Sequence, residues 1–406
     1  MKLEIDYASH PAFRDLTNCS ARSSSVARRY FDEVDETWRE CLTTRFAGKT
    51  NEASSLFDER EPPLRAALVE ALAETVDETY LPFLNDALAE SAQAIRKEIS
   101  YVAAARGRPR RYSAKAEAIS EELSMKGAIA FRLGSERRRR IAASLAPFME
   151  QLREQRRTNG GARCFVAVPA WGEHWNEVKA FVRASHVEEG ISAFAGYPLE
   201  LVGYALTYSH PDETWYQNCY GDIGLPTAAT VQMHFDQDNL SAKSMLYLND
   251  VELDAGPFSY LPGSREIIPS RSQLSFFKGL GTVNGEFAKA KRSAETSYNR
   301  PLFIDPSLRP YFARLPSELQ GSAGPGDDVV DDTPLSKFLR ERERPITSQD
   351  GDLALFAGGE TLHRGGVTRR GERWALQMMY KEPPSLQQNI KSHLRFFARR
   401  IIKGPR

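Results

Sequence analysis

The spacing of hydrophobic and polar positions changes along the chain. Between about residues 23 and 105 the apolar residues follow a helical period, which is clearest in residues 61–90 behind a Pro-Pro start. The apolar stripe of this segment recurs every four residues and consists of Leu64, Leu68, Leu72, Val76 and Tyr80. The pattern predicts an N-terminal helical region with the stripe in its core.

The next segment is basic and leads into a change of period. Residues 106–115 carry the breakers Gly107 and Pro109, which is typical of a linker or an exposed loop. Residues 117–155 then predict a helix, a short strand at 128–131 and a second helix starting near Ser135.

Beyond residue 160 the chain is rich in β-branched and aromatic residues, punctuated by Gly and Pro, and this pattern predicts a β domain. A charged, loop-rich piece at 265–345 interrupts it, and we expect that piece to form a lid that sets substrate choice. The predicted strands are CFVAVPAW (164–171), LELVGYALTYSH (199–210), VQMHFDQD (231–238), KSMLYLNDV (243–251), PFSYLPGS (257–264), GDLALFAGG (351–359) and ERWALQMMY (372–380).

Composition narrows the class of protein. The 406 residues are 41% hydrophobic and 27% charged, as in an ordinary soluble globular protein. Lys plus Arg and Asp plus Glu both number 54, so we expect neither nucleic acid nor an anionic membrane as a partner. The start of the chain has no apolar signal segment, and no run is long enough to span a bilayer, so a cytoplasmic location is the default expectation. The four cysteines are far apart and predict reduced, structural thiols: Cys19, Cys41, Cys164 and Cys219.

The segment VQMHFDQD carries candidate metal ligands. On a strand, His234 and Asp236 project to the same side, which suits either two metal ligands or a polar outer face. Asp238 is a weaker candidate ligand, because it lies a further step along the strand. A third ligand is available in His363, which only a closed or strongly folded sheet could bring close. Two His and one carboxylate form the facial triad of non-heme Fe(II) oxygenases, and a zinc site remains the chemical alternative.

A second set of polar residues alternates along the last predicted strand. If that strand is regular, Arg373 and Gln377 face one side together, and a buried guanidinium needs an anion such as a carboxylate. The distal carboxylate of 2-oxoglutarate would be a suitable partner. Lys243 lies on another predicted strand, on the face shared by Met245 and Tyr247. It is a further candidate to bind 2-oxoglutarate, although a lysine at the start of a strand more often extends to solvent.

Four segments together resemble the phytanoyl-CoA dioxygenase-like family of Fe(II)/2-oxoglutarate-dependent oxygenases. They occur in the family's order across about residues 117–385: HFD (234–236), LNDVELDAGPFSYLPGSRE (248–266), GDLALFAGGETLHRGG (351–366) and the ERWALQMMY that follows. The resemblance implies that His234, Asp236 and His363 bind Fe(II) and that Arg373 holds the C5 carboxylate of 2-oxoglutarate.

The resemblance also implies a fold and a reaction. The fold is a double-stranded β-helix, a jelly-roll barrel of two antiparallel sheets, and the reaction consumes O2 and 2-oxoglutarate and releases succinate and CO2. Because Asp236 is retained, hydroxylation is favoured over halogenation, for which relatives replace this carboxylate by a small residue. This chain departs from the family at Phe235, Gly365 and Arg265, where members often carry Gln, Ser and His.

The sequence pattern predicts a mainly β chain with α additions, and the resemblance implies a double-stranded β-helix core with flanking helices. The predicted parts are an N-terminal helical region with the basic linker (1–114), the oxygenase barrel (115–390) with the lid-like insertion (265–345), and a basic tail (391–406). We expect an oxygenase that hydroxylates a small or medium-sized organic metabolite. Two alternatives remain open, a His2Asp zinc hydrolase and a non-catalytic barrel that binds a ligand, and neither the substrate nor the oligomeric state follows from the sequence.

Overall fold

A computed structural model describes most of the chain. The described residues are 3–16, 21–46, 50–106, 111–159, 163–211, 219–236, 242–268, 270–292, 302 and 305–381. Asp238, His393, Cys19 and the predicted tail at 391–406 lie outside them. Within this part of the chain, no helix has both the length and the apolar content needed to cross a membrane.

Four long helices form one body, called the helical body below. Three come from the N-terminal region and one from the predicted insertion, and they share a single hydrophobic core that includes Phe57, Tyr80, Leu88 and Phe276. Their bounds are α1 Ala21–Phe46, α2 Thr50–Leu72, α3 Leu81–Arg106 and α9 Arg271–Arg292. Helix α9 of the insertion thus packs against the N-terminal helices, and the predicted role of the insertion as a lid stays a prediction.

The predicted helix start at Pro62 and Pro63 is wrong, because both prolines lie inside α2. The carbonyl groups that lose an N–H donor belong to Asp58 and Glu59, which are exposed and can bind water instead. The predicted stripe also extends beyond this helix. Helix α2 ends at Leu72 and α3 begins at Leu81, so Val76 and Tyr80 lie in the connection between the two helices.

A six-stranded antiparallel sheet forms the centre of the remaining chain. Its strand order is β1-β7-β4-β9-β3-β2, so the N-terminal strand β1 lies at one edge. The strands are β1 Ala128–Phe131, β2 Arg163–Val168, β3 Glu200–Ser209, β4 Ala242–Tyr247, β7 Leu353–Phe356 and β9 Arg373–Lys381.

A smaller antiparallel sheet packs face to face on the first. Its order is β6-β5-β8, with β5 Phe258–Tyr260, β6 Arg344–Ile346 and β8 His363–Gly365. The Phe258 ring stacks on Phe356 of the large sheet at 4.4 Å, and the Tyr247 hydroxyl donates to the Ile346 carbonyl at 2.8 Å. Two such sheets agree with the predicted barrel core, whereas the full double-stranded β-helix stays a prediction.

Helices cover the outer face of the large sheet. The core between them contains Leu206, Trp374, Leu376 and Met378, which alternate with the residues that face the small sheet. The covering helices are α4 Ala114–Lys126, α5 Ser135–Ser144, α6 Ala146–Asn159, α7 Glu173–Ala184 and α8 Val187–Ala195. Two shorter helices, α10 Arg309–Ala313 and α11 Pro334–Arg342, lie in the predicted insertion.

Two sequence predictions need correction. The chain is not mainly β, because within the described residues the helices that cover the sheet and form the helical body hold more residues than the strands. The segment at 231–236 is not a regular strand. Only His234 pairs, in a single bridge with His363, because Gln232 has a left-handed backbone conformation with φ of 66°.

Candidate metal centre

His234 and His363 are joined through their backbones. The His234 N–H donates to the His363 carbonyl at 2.9 Å, and the His363 N–H donates to the His234 carbonyl at 3.0 Å. This bridge brings together two residues that are 129 positions apart, as the sequence required, and the two rings lie 4.5 Å apart. The bridge therefore extends the small sheet by one residue pair at the site.

Each imidazole ring is held in one tautomer. The Nδ1 of His234 lies 2.7 Å from the Gln232 carbonyl, and the Nδ1 of His363 lies 2.8 Å from the Thr361 carbonyl. A carbonyl can only accept, so Nδ1 carries the proton in both rings and Nε2 keeps its lone pair. This is the arrangement in which histidine ligands usually bind metals.

Asp236 completes the group. Its Oδ1 lies 3.8 Å from His234 Nε2, and its Oδ2 lies 3.8 Å from His363 Nε2. One ligand atom from each of the three residues can be chosen so that all lie within 4.8 Å of one another. The three side chains therefore form a group that can hold a metal ion, as the sequence predicts.

The side chain of Asp236 is closely surrounded by protein atoms. The side chain is buried, and its Oδ2 accepts no hydrogen bond within the described structure. Its backbone N–H donates to the Gly358 carbonyl at 2.8 Å, and a Cβ added to Gly358 would lie 1.8 Å from Oδ2. A buried carboxylate oxygen without a donor is costly unless a cation binds it, which fits a metal ligand.

The electrostatics favour the metal-binding protonation states of His363 and Asp236. Burial lowers the pKa of His363 to about 3, so this ring is neutral at neutral pH. Burial alone would raise the pKa of Asp236, but its neighbours outweigh burial and lower the pKa below the usual value of a carboxyl group. Since His363 is neutral, we attribute the charge that keeps Asp236 ionised to Lys243, whose Nζ donates to Oδ1 at 2.6 Å.

Arg373 lies on the same side of the small sheet as the metal ligands. It is almost fully buried at the start of β9, and a Cβ placed on Gly365 would lie 3.5 Å from its Nη2. His363 and Gly365 are two positions apart on β8 and point to the same face, about 6.5–7 Å apart. The guanidinium donates to the Gly256 carbonyl and, at 3.1 Å, to the Ser209 hydroxyl.

The other two predicted cosubstrate residues lie on the inner face of the large sheet. Lys243 is on β4 and contacts the metal ligand Asp236. Gln377 is on β9 between Ala205 and Met245, is half-buried, and points to the same face as Arg373. A direct role of Lys243 and Gln377 in binding 2-oxoglutarate stays a prediction.

The sequence analysis missed two residues of the site. Ser209 contacts the predicted carboxylate clamp from β3, and its signal was the polar pair Thr207 and Ser209 at alternate positions of an otherwise apolar strand. Gly358 allows the close approach of Asp236, and its signal was the Gly-Gly pair that ends the predicted strand at 351–359.

Comparisons with known proteins add weak likenesses. No family model matches the chain, and no curated protein matches it. The epimerase SnoN, solved in complex with Fe3+, alpha ketoglutarate and nogalamycin RO, is similar at 13% identity, 66% coverage of this chain, 83% coverage of its own and a TM-score of 0.34. AviO1 from Streptomyces viridochromogenes Tue57 is similar at 14% identity, 68% and 97% coverage and a TM-score of 0.33.

HygX from Streptomyces hygroscopicus, solved with nickel and 2-oxoglutarate bound, is similar at 14% identity, 68% and 89% coverage and a TM-score of 0.33. These similarity scores are low. The function proposed below therefore rests on the residues of this chain.

Proposed function

We propose that this protein is an Fe(II)- and 2-oxoglutarate-dependent oxygenase that resembles the phytanoyl-CoA dioxygenase-like family. The observation that carries the proposal is the placement of a two-His, one-carboxylate group and a buried arginine on one side of the same short strand. A five-carbon dicarboxylate can span that stretch of strand, with one end at the metal and the other at Arg373.

The ligand set fits iron. His234, Asp236 and His363 would hold Fe(II) on one side, which leaves positions for a chelating cosubstrate and O2. When bound, the metal supplies the activation of O2 and 2-oxoglutarate that the protein side chains cannot provide. The protein residues orient the imidazoles through the Gln232 and Thr361 carbonyls and keep Asp236 ionised through Lys243.

Arg373 and Ser209 would bind the distal carboxylate of 2-oxoglutarate. The guanidinium is fixed by the Gly256 carbonyl and lies against Ser209, which can supply a hydroxyl donor to the same carboxylate. Ser209 would thereby take the place of the serine that family members carry where this chain has Gly365. Gln377 and Lys243 would contribute further hydrogen bonds from the same inner face.

The proposed reaction is hydroxylation of a small or medium-sized organic molecule, with release of succinate and CO2. Asp236 occupies the position that halogenating relatives leave without a carboxylate, and this favours hydroxylation over halogenation. The 265–345 insertion would shape the substrate opening, since the Ala323 carbonyl in it accepts the Phe235 N–H at 2.7 Å between two of the ligands.

The test is the visible absorption band that Fe(II) and 2-oxoglutarate give when both are bound without O2. We expect the band in the parent protein, its loss in Asp236→Ala, and at least about tenfold weaker 2-oxoglutarate binding in Arg373→Ala. Arg370→Ala is the matched control, because Arg370 lies three positions away with its side chain 84% exposed, and this variant should behave as the parent.

Two results would contradict the proposal. Tight binding of Zn(II) with no response to 2-oxoglutarate would favour the zinc hydrolase. Absence of any metal binding would favour a barrel that binds a ligand without catalysis.

A further inference from the structure

A short turn orients two of the three candidate metal ligands. Residues 357–362, called the ligand turn here, connect β7 to β8. The Gly358 carbonyl accepts the Asp236 N–H at 2.8 Å, and the Thr361 carbonyl faces His363 Nδ1 at 2.8 Å. The position of this turn therefore sets the orientation of both the carboxylate and one imidazole.

The helical body reaches this turn with buried charges. Arg271, at the start of α9, pairs with Glu98 of α3 at 2.6 Å and with Glu360 of the ligand turn at 2.9 Å. Two helical turns further along α9, Lys278 Nζ donates to the Gly359 carbonyl at 2.7 Å. The ligand turn is thus held at two adjacent residues by side chains of one helix.

These charges are expensive to bury. Lys278 is 4% exposed and Glu98 is 6% exposed. Burial, assisted by the nearby Arg271, lowers the pKa of Lys278 to about 7 despite the opposing carboxylates of Glu360, Asp236 and Glu98. An apolar side chain at position 278 would avoid the cost of burying a charge but would lose the hydrogen bond to the Gly359 carbonyl.

We propose that Glu98, Arg271 and Lys278 are positioning residues of the metal centre, through which the helical body holds the ligand turn in the geometry that binds metal. The inference rests on the proposed function, because it takes His234, Asp236 and His363 as metal ligands. It assigns to the N-terminal helices and the insertion a shared task that neither segment suggests by sequence.

The test compares Co(II) affinity with thermal stability in the full-length apoprotein. We expect Lys278→Met and Glu98→Gln to raise the dissociation constant for Co(II) about tenfold, as outer partners of metal ligands do. The visible spectrum of bound Co(II) should also change, because it reports ligand geometry. For Lys278→Met we expect an unchanged or higher melting temperature together with the weaker binding, a combination that a purely structural role would not produce.

Glu61→Gln is the matched control. Glu61 is also a buried glutamate in the helical body, is 1% exposed and pairs with Arg65 at 3.0 Å. Among the described residues its polar partners are Tyr30, Arg65 and Arg96, which all belong to the helical body. We expect this variant to lower the melting temperature and to leave Co(II) affinity unchanged. An equal loss of affinity in Glu61→Gln and Glu98→Gln would overturn the inference, because general destabilisation would then explain both.

The outcomes separate this inference from the proposed function. If the parent binds Co(II) and both cluster variants bind it equally well, the inference fails and the proposed function stands. If the parent binds no metal, the proposed function fails. In that case, hydrogen exchange of amides 358–363 in the apoprotein tests whether the helical body holds the ligand turn in place. Unchanged exchange rates in Lys278→Met would overturn this part of the inference.

Discussion

At the scale of single residues, Gly358 is the position where the site tolerates no side chain. A Cβ there would lie 1.8 Å from Asp236 Oδ2, so Gly358→Ala must displace either the carboxylate or the ligand turn. We expect at least about tenfold weaker metal binding, measured by titration calorimetry of the apoprotein.

Gly203→Ala is the control for that change. Gly203 lies on β3, and an added Cβ would meet no atom within 4 Å. The Gly203→Ala variant should bind metal with the affinity of the parent. Normal metal affinity in Gly358→Ala would show that Asp236 does not hold the ion in the geometry described here.

His10 predicts a pH dependence of stability away from the metal centre. Its Nε2 donates to the Asp328 carbonyl at 3.1 Å and its Nδ1 accepts the Ala12 N–H at 3.1 Å, so the folded protein requires the neutral ring. Burial lowers the pKa of His10 to about 4. Between pH 6.5 and 4 the unfolded chain binds a proton that the folded chain does not, so stability falls as the pH falls.

The test of this effect is urea unfolding at pH 7 and pH 5. We expect the parent to lose about 2 kcal/mol more of its free energy of unfolding than His10→Gln, in which no proton can bind at this position. The other titrating groups are common to both proteins and cancel in the difference. Equal losses in the two proteins would contradict the assignment of the neutral ring.

At the scale of elements, local patterns predicted some boundaries and missed others. The strand Ala128–Phe131 and the helix start at Ser135 are confirmed, because a change of period and the Leu-Gly break mark them in the sequence. The prediction of a helix start at Pro62 and Pro63 was wrong, because the helix continues through both prolines. The exposed carbonyl groups that the prolines leave without donors can bind water.

Two kinds of information in the sequence predicted residues of the candidate site. Alternation along β9 placed Arg373 and Gln377 on one face, and the residue types that bind metal pointed to His234 and His363. Ser209 and Gly358 had only a local signal in the sequence, and no pattern marked Lys278. Their roles depend on contacts with Arg373, Asp236 and Gly359, and distance along the sequence carries no information about such contacts.

At the scale of the whole molecule, the two parts of the chain are interleaved. The chain leaves the small sheet after β5, contributes α9 to the core of the helical body, and returns to the small sheet at β6. The Glu98–Arg271–Glu360 contacts and the Phe235–Ala323 hydrogen bond join the helical body and the insertion to the metal centre. Separate unfolding of the helical body would break these contacts and expose the ligand turn.

We therefore predict that the protein unfolds in one cooperative transition, and that the temperature of this transition rises when metal binds. Metal at one hundred times its dissociation constant should add about 2.7 kcal/mol to the free energy of unfolding. Differential scanning calorimetry should show one peak that shifts upward with metal in the parent and stays in place in Asp236→Ala. Two peaks, of which only one responds to metal, would show that the helical body unfolds independently of the metal centre. The helical body could then not hold the ligand turn in the geometry that binds metal.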